Sequence, residues 1–390
     1  MNALKIFEQG MDLTAKTFSG MEDVLAGELS ALGAKDITTG KRVVFFRGDQ
    51  SMIYKANYQC RTALRILKPI GVFTVRDENE LYEKVQHIDW PSFFTLKQTF
   101  VISASVFNSK MTHSQYVAQK TKDAIVDQFR NKFGRRPNVD KDNPTLSIDV
   151  HINGDQCTLS LDSSGPSLHK RGYRTEVDKA PLNEALAAGL IQLSGWDKNG
   201  DFMDPMCGSG TLPIEAAMYA MNIPAGYYRK HFAFQNWPDF DEELWKQVKQ
   251  EADEQIIEHD FPIYGSDQSY KAFRIAQSNV KSAQLHKDIT VINKPFEKMN
   301  PESGKGILLF NPPYGERLKE NDIISLYKHI GDVLKTKFKG YEAWIITSNL
   351  EAAKFIGLKP TKKITVYNGP LESRFLKFEI YAGSKKAAKQ

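Results

Sequence analysis

The stretch Leu308 to Leu318 reads L-L-F-N-P-P-Y-G-E-R-L. The apolar run Ile307 to Phe310 has the length and composition of a buried strand. Asn311, Pro312, Pro313 and Tyr314 follow it. Neither proline can donate to a ladder, and each fixes its own φ near −65°. The residue before a proline is also driven toward extended geometry. The strand must therefore stop, leaving Asn311 and Tyr314 on a stiff loop at its carboxyl end, where open α/β sheets bind their ligands. The Asn311 side-chain carbonyl and a freed backbone carbonyl are two acceptors, and the Tyr314 ring is a flat surface. Together they suit a planar ring that carries an amino group. The plainer alternative is a proline turn after a core strand.

A second strand-and-loop run lies about a hundred residues earlier: F-M-D-P-M-C-G-S-G-T-L-P-I-E-A-A. A strand is expected to end at Asp204. The small residues Cys207-Gly208-Ser209-Gly210 then open a helix at Thr211. Glycines permit close backbone approach, and a helix N-terminus offers unpaired N–H groups to an anion. The third glycine of the dinucleotide fingerprint is missing, and a lone G-x-G is a weak signal that gains from the N-P-P-Y run about a hundred residues on. The next strand, Ile263 to Ser266, ends at Asp267, whose carboxylate can accept from ribose hydroxyls. The usual spacing to that acid is ~20 residues. Here residues 222–262 intervene, an insert rich in aromatics (Tyr227, Tyr228, Phe232, Phe234, Trp237). A strand Ile289 to Ile292 precedes Asn293 and Phe296; in methyltransferases, which this part of the chain resembles, the adenine ring often lies there. Strands alternating with helices from Leu182 onward predict a doubly wound sheet closed by a hairpin with one antiparallel edge strand.

With 390 residues there is room for two or three domains. No apolar run reaches the ~18 residues of a membrane span, and the N-terminus lacks a secretory core. Three cysteines without CxxC spacing argue against a disulfide framework and against zinc, and for a cytoplasmic setting. The net charge of +5 is unevenly spread. Lys110, Lys120, Lys122, Arg130, Lys132, Arg135 and Arg136 are opposed only by Asp123 and Asp127. This window is a candidate nucleic-acid surface; the alternative is a solvated helix face. Lys385, Lys386 and Lys389 form a solubilising tail.

In chain order, Ser19-Gly20-Met21-Glu22 reads as a capping box opening a helix to Leu32. Val43 to Phe46 and Ala63 to Ile70 read as strands around a helix Ser51 to Cys60. Val72 to Val75 and Phe100 to Val106 are expected as strands flanking a helix Leu81 to Ile88. A helix Thr112 to Phe133 carries the apolar stripe Val117, Thr121, Ile125, Phe129 and Phe133. Leu146 to Ile152 and Gln156 to Leu161 form a hairpin across Asn153-Gly154. Lys170, Arg171 and Arg174, in S-L-H-K-R-G-Y-R, could hold a phosphate or brace a domain junction.

The N-P-P-Y run resembles the amino-methyltransferase signature. With D-P-M-C-G-S-G-T and the H-K-R-G-Y-R…A-P-L-N-E segment, most of the chain resembles the bacterial 23S rRNA guanine-N2 methyltransferases, and the region before Ser163 resembles a THUMP domain. The resemblance implies a Rossmann-like class I methyltransferase domain at 166–390, with a mostly parallel seven-stranded sheet. Before it would stand a ferredoxin-like α+β subdomain at 1–70 and a THUMP-like RNA-binding domain at 71–165. It implies S-adenosylmethionine as cofactor, with S-adenosylhomocysteine as product and no metal. Asp204, Pro205, Cys207, Gly208, Ser209, Gly210, Thr211, Asp267 and Asn293 would hold the cofactor. Asn311, Pro312 and Tyr314 would be catalytic. RNA, as 23S rRNA or a large-subunit precursor, would meet Lys120, Lys122, Arg130, Lys132, Arg135, Arg136, Lys170, Arg171 and Arg174. No membrane and no obligate protein partner are implied. tRNA guanine methylation and protein glutamine methylation remain alternatives. Some relatives carry a second methyltransferase module, for which this chain's length leaves no room. A covalent role for Cys207 is disfavoured, because it sits inside the cofactor loop and an amine acceptor needs no covalent step.

Overall fold

The structure, a computed structural model, describes residues 10–176, 181–313, 320–369 and 371–381. Tyr314 and the tail lysines Lys385, Lys386 and Lys389 lie outside the described residues. The chain divides into two units. One comprises Met1–Thr17, Ala26–Leu168 and Arg229–Glu251; the other comprises Phe18–Leu25, His169–Tyr228 and Ala252–Gln390.

The first unit is built on β1 (Met11–Lys16), α1 (Glu22–Ala31), β2 (Lys35–Gly40), β3 (Val43–Gly48), α2 (Gln50–Gln59), β4 (Arg65–Thr74), α3 (Glu78–Gln86), β5 (Thr99–Phe107), α4 (Ser114–Phe133), β6 (Asn138–Val139), β7 (Leu146–Asn153) and β8 (Gln156–Asp162). Its strands form one sheet in the order β2-β3-β1-β4-β8-β7-β5-β6. The two stretches read separately from sequence as 63–70 and 72–75 are the single strand β4, whose register on β8 shifts between Pro69 and Gly71. Pro69 offers no N–H, so the ladder slips there without a break. β1 and β2 were not expected. β2 is mostly exposed and shows no apolar alternation, whereas β1, M-D-L-T-A-K, does alternate, with Leu13 and Ala15 buried, a short period-two signal that sequence reading missed.

Helix starts follow local chemistry. Asp49 caps α2 by accepting from Met52 N–H (2.9 Å), and Asp77 caps α3 by accepting from Glu80 N–H (2.9 Å). The expected capping box is corrected: α1 begins at Glu22, whose carboxylate accepts from Gly20 N–H (2.6 Å). Val117, Thr121, Ile125 and Phe129 are the buried stripe of α4, while Phe133, at the last turn before Gly134, is 45% exposed and leaves the stripe. The insert is resolved by its membership. Arg229–Glu251 belongs to the first unit, where Phe232, Phe234 and Trp245 surround Tyr54 and Tyr58 of α2, with ring centroids 4.5 Å apart for Tyr54–Phe234 and 5.4 Å for Tyr58–Trp245.

The second unit contains α5 (Glu184–Ser194), β9 (Asp201–Asp204) and α6 (Thr211–Ala220). After α6 come α7 (Glu242–Asp253), largely in the first unit, then β10 (Ile263–Ser266), α8 (Tyr270–Ser282), β11 (Ile289–Ile292), β12 (Gly306–Phe310), α9 (Glu320–Lys337), β13 (Tyr341–Thr347), α10 (Leu350–Ala353), β14 (Lys362–Asn368) and β15 (Leu371–Glu379). The sheet order is β11-β10-β9-β12-β13-β15-β14, parallel except for β15. The antiparallel strand is therefore one in from the edge, and β14 is the edge, contrary to the sequence reading. Side chains alternate across the sheet. Phe202, Ile307, Leu309, Trp344 and Ile346 join one core with α5 and α6. Met203, Leu308, Phe310, Ala343 and Ile345 join the other with α9. Both faces are covered, which is why these strands read as unbroken apolar runs. Met21 and Phe18 pack in the first of these cores, so the second unit is completed by residues from the start of the chain.

Candidate functional site

β9, β10, β11 and β12 are neighbours and parallel, so their carboxyl ends lie on one side of the sheet. That topology brings together Asp204, Asp267, Asn293 and Asn311, each at or just past a strand end. The order of connection reverses between β9 and β12, the switch point where such sheets open a crevice. Hydrogen bonds knit the strand ends. Cys207 N–H donates to Ser266 O (2.9 Å), Gly208 N–H to Asp267 Oδ2 (3.0 Å) and Ser269 N–H to Asp267 Oδ1 (2.9 Å). Asn293 Nδ2 donates to the carbonyls of Asp267 (2.8 Å) and Gln268 (3.2 Å). Asp267 is thus held in place at the end of β10. Asn293 acts on the loop that carries Asp267. Phe296 is buried in the core beside Phe338, so it does not face a ligand.

The glycine loop has the geometry a ligand needs. Gly208 has φ +54°, and a Cβ there would meet nothing within 4 Å, so its backbone borders open space. Gly210 caps α6 with φ +81° and supplies no side-chain hydrogen bond, leaving the first N–H groups of α6 without a side-chain cap. Pro205 is buried under the loop. Asp204, 2% exposed, accepts from Met206 N–H (3.1 Å). Burial, together with the Asp267 charge, raises its carboxyl well above the ordinary 3.8. Burial and the charges of Asp204 and Asp267 likewise push the Cys207 thiol well above its usual value, so it is no thiolate nucleophile.

Past β12, Pro312 is buried and Asn311 is half-buried. The Asn311 Oδ1 atom is itself buried and has no hydrogen-bond partner among the described residues. A buried acceptor left unpaired costs about 1–3 kcal/mol, so native structures retain few. Its position beside the glycine loop marks it as an acceptor whose donor is not found among the described residues.

The nine candidate RNA contacts divide. Arg171 is 1% exposed and ion-paired with Glu215 (Nε–Oε1 3.3 Å), which also accepts from Tyr173 OH (3.0 Å). Arg174 bonds Glu184, Ser209 and Thr211. The phosphate-binding reading is withdrawn for both: their guanidiniums are spent inside the second unit. Lys170 is exposed. On α4, Lys122 pairs with Asp123 (2.6 Å), Arg130 with Asp127 (3.0 Å) and Lys132 with Asp89 (3.4 Å), while Lys120 lies over the Tyr82 ring (5.3 Å). At 100° per residue these four spread around the helix, so they make no single basic face. Arg135 and Arg136 are exposed and form no ion pair among the described residues. Sequence reading missed Glu184 and Asn279, which support the glycine loop. A signal for Asn279 existed: an amide sits in the apolar stripe Ile275, Ala276, Val280 of α8.

Three family profiles match consecutive parts of the chain: an RlmL ferredoxin-like domain at 12–67, a THUMP domain at 75–162 and an RMKL-like methyltransferase domain at 171–377. The chain belongs to the RMKL-like methyltransferase family. Both resemblances seen in the sequence, to THUMP domains and to this family, are borne out, as is the Rossmann-like class I fold. Within the family, slr0064 of Synechocystis, a candidate RNA methyltransferase, is 38% identical over 93% of this chain and 95% of its own length. The ribosomal RNA large subunit methyltransferase K/L of Syntrophotalea carbinolica is 39% identical over 95% of this chain, which spans 54% of that protein. The crystal structure of SMU.472 complexed with SAH superposes with a TM-score of 0.86 at 33% identity, covering 97% of this chain and 100% of that one. Among the described residues no helix is long and apolar enough to cross a membrane, and no cluster of metal-ligating side chains occurs.

Proposed function

We propose that this protein transfers a methyl group from S-adenosylmethionine to the exocyclic amine of a guanine in RNA, with 23S ribosomal RNA as substrate. The observation that carries this reading is the buried Asn311 Oδ1 beside the glycine loop, which has no hydrogen-bond partner among the described residues. The residues present fit the cofactor. Open space at Gly208 admits it, the α6 N-terminus suits its carboxylate and Asp267 suits its ribose hydroxyls. When bound it supplies an electrophilic methyl on a sulfonium. SMU.472, solved with SAH, supports that choice, and the K/L name of a 39%-identical relative supports ribosomal RNA. In this reading residues 1–70 are a ferredoxin-like subdomain, residues 71–165 engage RNA and residues 166–390 carry out the transfer.

An exocyclic amine is a weak nucleophile because its lone pair is conjugated with the ring. Asn311 Oδ1 and the Pro312 carbonyl would accept its two hydrogens and turn the lone pair out of conjugation. Positive charge developing on the nitrogen then meets acceptors already in place. Tyr314, outside the described residues, is assigned the stacking of a base drawn from its helix.

The test is single-turnover methylation of unmodified ribosomal RNA by the full chain, whose second unit needs Phe18–Leu25. Asn311→Ala should slow transfer by ~10²–10³ while binding of S-adenosylhomocysteine stays near wild type. A wild-type rate in this variant, or methyl found on a pyrimidine carbon, would sink the reading.

A further inference from the structure

The segment before α5 ends on the glycine loop. Arg174 places Nε on Glu184 Oε1 (2.8 Å), Nη1 on Ser209 Oγ (3.1 Å), and Nη2 on Thr211 Oγ1 (2.9 Å) and Leu182 O (3.3 Å). One planar fork therefore spans a carboxylate, two hydroxyls and a carbonyl, which a lysine could not do. The next residues are fastened too. Asn279 Oδ1 accepts from the N–H groups of Thr175 (3.0 Å) and Glu176 (3.2 Å), and its Nδ2 donates to Ser209 O (2.9 Å). Ser209 is thus gripped at its hydroxyl by Arg174 and at its carbonyl by Asn279.

A guanidinium only donates. The hydroxyl oxygens of Ser209 and Thr211 must therefore accept from it, and their own hydrogens are turned away from Arg174. The two oxygens are 3.4 Å apart, so one hydroxyl can donate to the other, leaving at least one O–H to point elsewhere. These residues flank Gly210, where α6 begins without a side-chain cap. An anionic group at the start of α6 would meet its first N–H groups and the hydroxyl hydrogen not used between Ser209 and Thr211, with the Arg174 cation behind them.

We propose that Arg174 is a positioning residue for the cofactor's carboxylate: by donating to Ser209 and Thr211 it makes their hydroxyls donors to that group. The proposal rests on the S-adenosylmethionine reading above and goes beyond it, because it divides the site into an amino-acid end governed by Arg174 and a nucleoside end governed by Asp267.

The experiment is calorimetric titration of the full chain with two probes. S-adenosylhomocysteine carries the carboxylate; 5′-methylthioadenosine carries the nucleoside and thioether without it. Arg174→Gln should weaken S-adenosylhomocysteine about tenfold, the scale of one charged hydrogen bond, and leave 5′-methylthioadenosine unchanged. Arg174→Lys, which keeps a charge against Glu184 and so protects folding, should show a smaller loss with the same selectivity. Ser209→Ala should be less than additive with Arg174→Gln. Equal weakening of both probes, no weakening of either, or full additivity would overturn the proposal. Wild-type protein that binds neither probe would instead overturn the cofactor reading itself.

Discussion

Basic side chains differ between two regions: on α4, Lys122, Arg130 and Lys132 stand at the surface against single acidic neighbours. At 171–174 they lie inside the second unit against partners on three sides. Arg130 and Arg171 illustrate the contrast. The Arg130–Asp127 pair is three residues apart on an exposed helix face, both side chains at least a third exposed. The Arg171–Glu215 pair is almost wholly removed from water and is joined by the Tyr173 hydroxyl. Water screens the first pair and helical proximity makes it; its removal changes little. The second exists only because the fold makes it, and each charge depends on the other to be tolerated there.

The largest expected effect follows from that dependence. Arg171→Ala leaves Glu215 charged and buried, and should destabilise the second unit by roughly 3–5 kcal/mol. Arg130→Ala should cost under about 1 kcal/mol. Urea unfolding of the full chain measures both. Arg171→Met combined with Glu215→Leu should recover most of the loss, since a well-packed apolar pair can replace a buried ion pair. Comparable, small losses for Arg171→Ala and Arg130→Ala would erase the distinction between the two regions.

A buried carboxylate with no ion pair among the described residues sharpens the point. Glu215 has Arg171; Asp204 has one backbone N–H and the nearby charge of Asp267. Asp204 therefore holds its proton more tightly folded than unfolded. The sign follows: the stability tied to that proton is complete below about 3.8, the ordinary value, and is lost as pH rises through the raised folded value. Asp204→Asn should be more stable than wild type at neutral pH, and its advantage should grow as pH rises from 4. Parallel stability profiles for the two proteins between pH 4 and 8 would contradict the placement of Asp204.

How legible each region was depends on the range of the interactions that define it. The N-P-P and glycine-loop segments were readable as loops at strand ends because prolines and glycines act on their own backbone, and their positions follow from the apolar runs before them. Asp267 was readable despite the long insert, because its loop chemistry is local. Arg171 and Arg174 were not. Their partners Glu215 and Ser209 lie 44 and 35 residues away, and nothing in a run of basic residues says which will be buried. The same limit hid Phe18 and Met21 in the second unit's core and the Tyr54–Trp245 cluster in the first. The split of β4 into two strands had the opposite cause: Pro69 and Gly71 are local breakers, and the pairing of β4 with β8 overrides them through a register shift.

The smallest expected effect concerns the surface charges themselves. If residues 71–165 engage RNA as proposed, affinity should fall with salt in proportion to the phosphates neutralised, with a log–log slope near one per contact. Lys122, Arg130 and Lys132 each have an acidic neighbour, so binding a phosphate means giving up an existing pair. Arg135 and Arg136, beyond the Gly134 cap, have no such competitor among the described residues. Reversing Arg135 and Arg136 to Glu should therefore reduce the slope by about two, and reversing Lys122 and Lys132 by less than one each. Neither change should alter binding of S-adenosylhomocysteine, whose proposed site is in the other unit. Filter binding between 50 and 200 mM salt separates these outcomes. A slope unchanged by Arg135→Glu with Arg136→Glu would make this end of α4 a solvated face, and RNA contact would have to be sought elsewhere in residues 71–165.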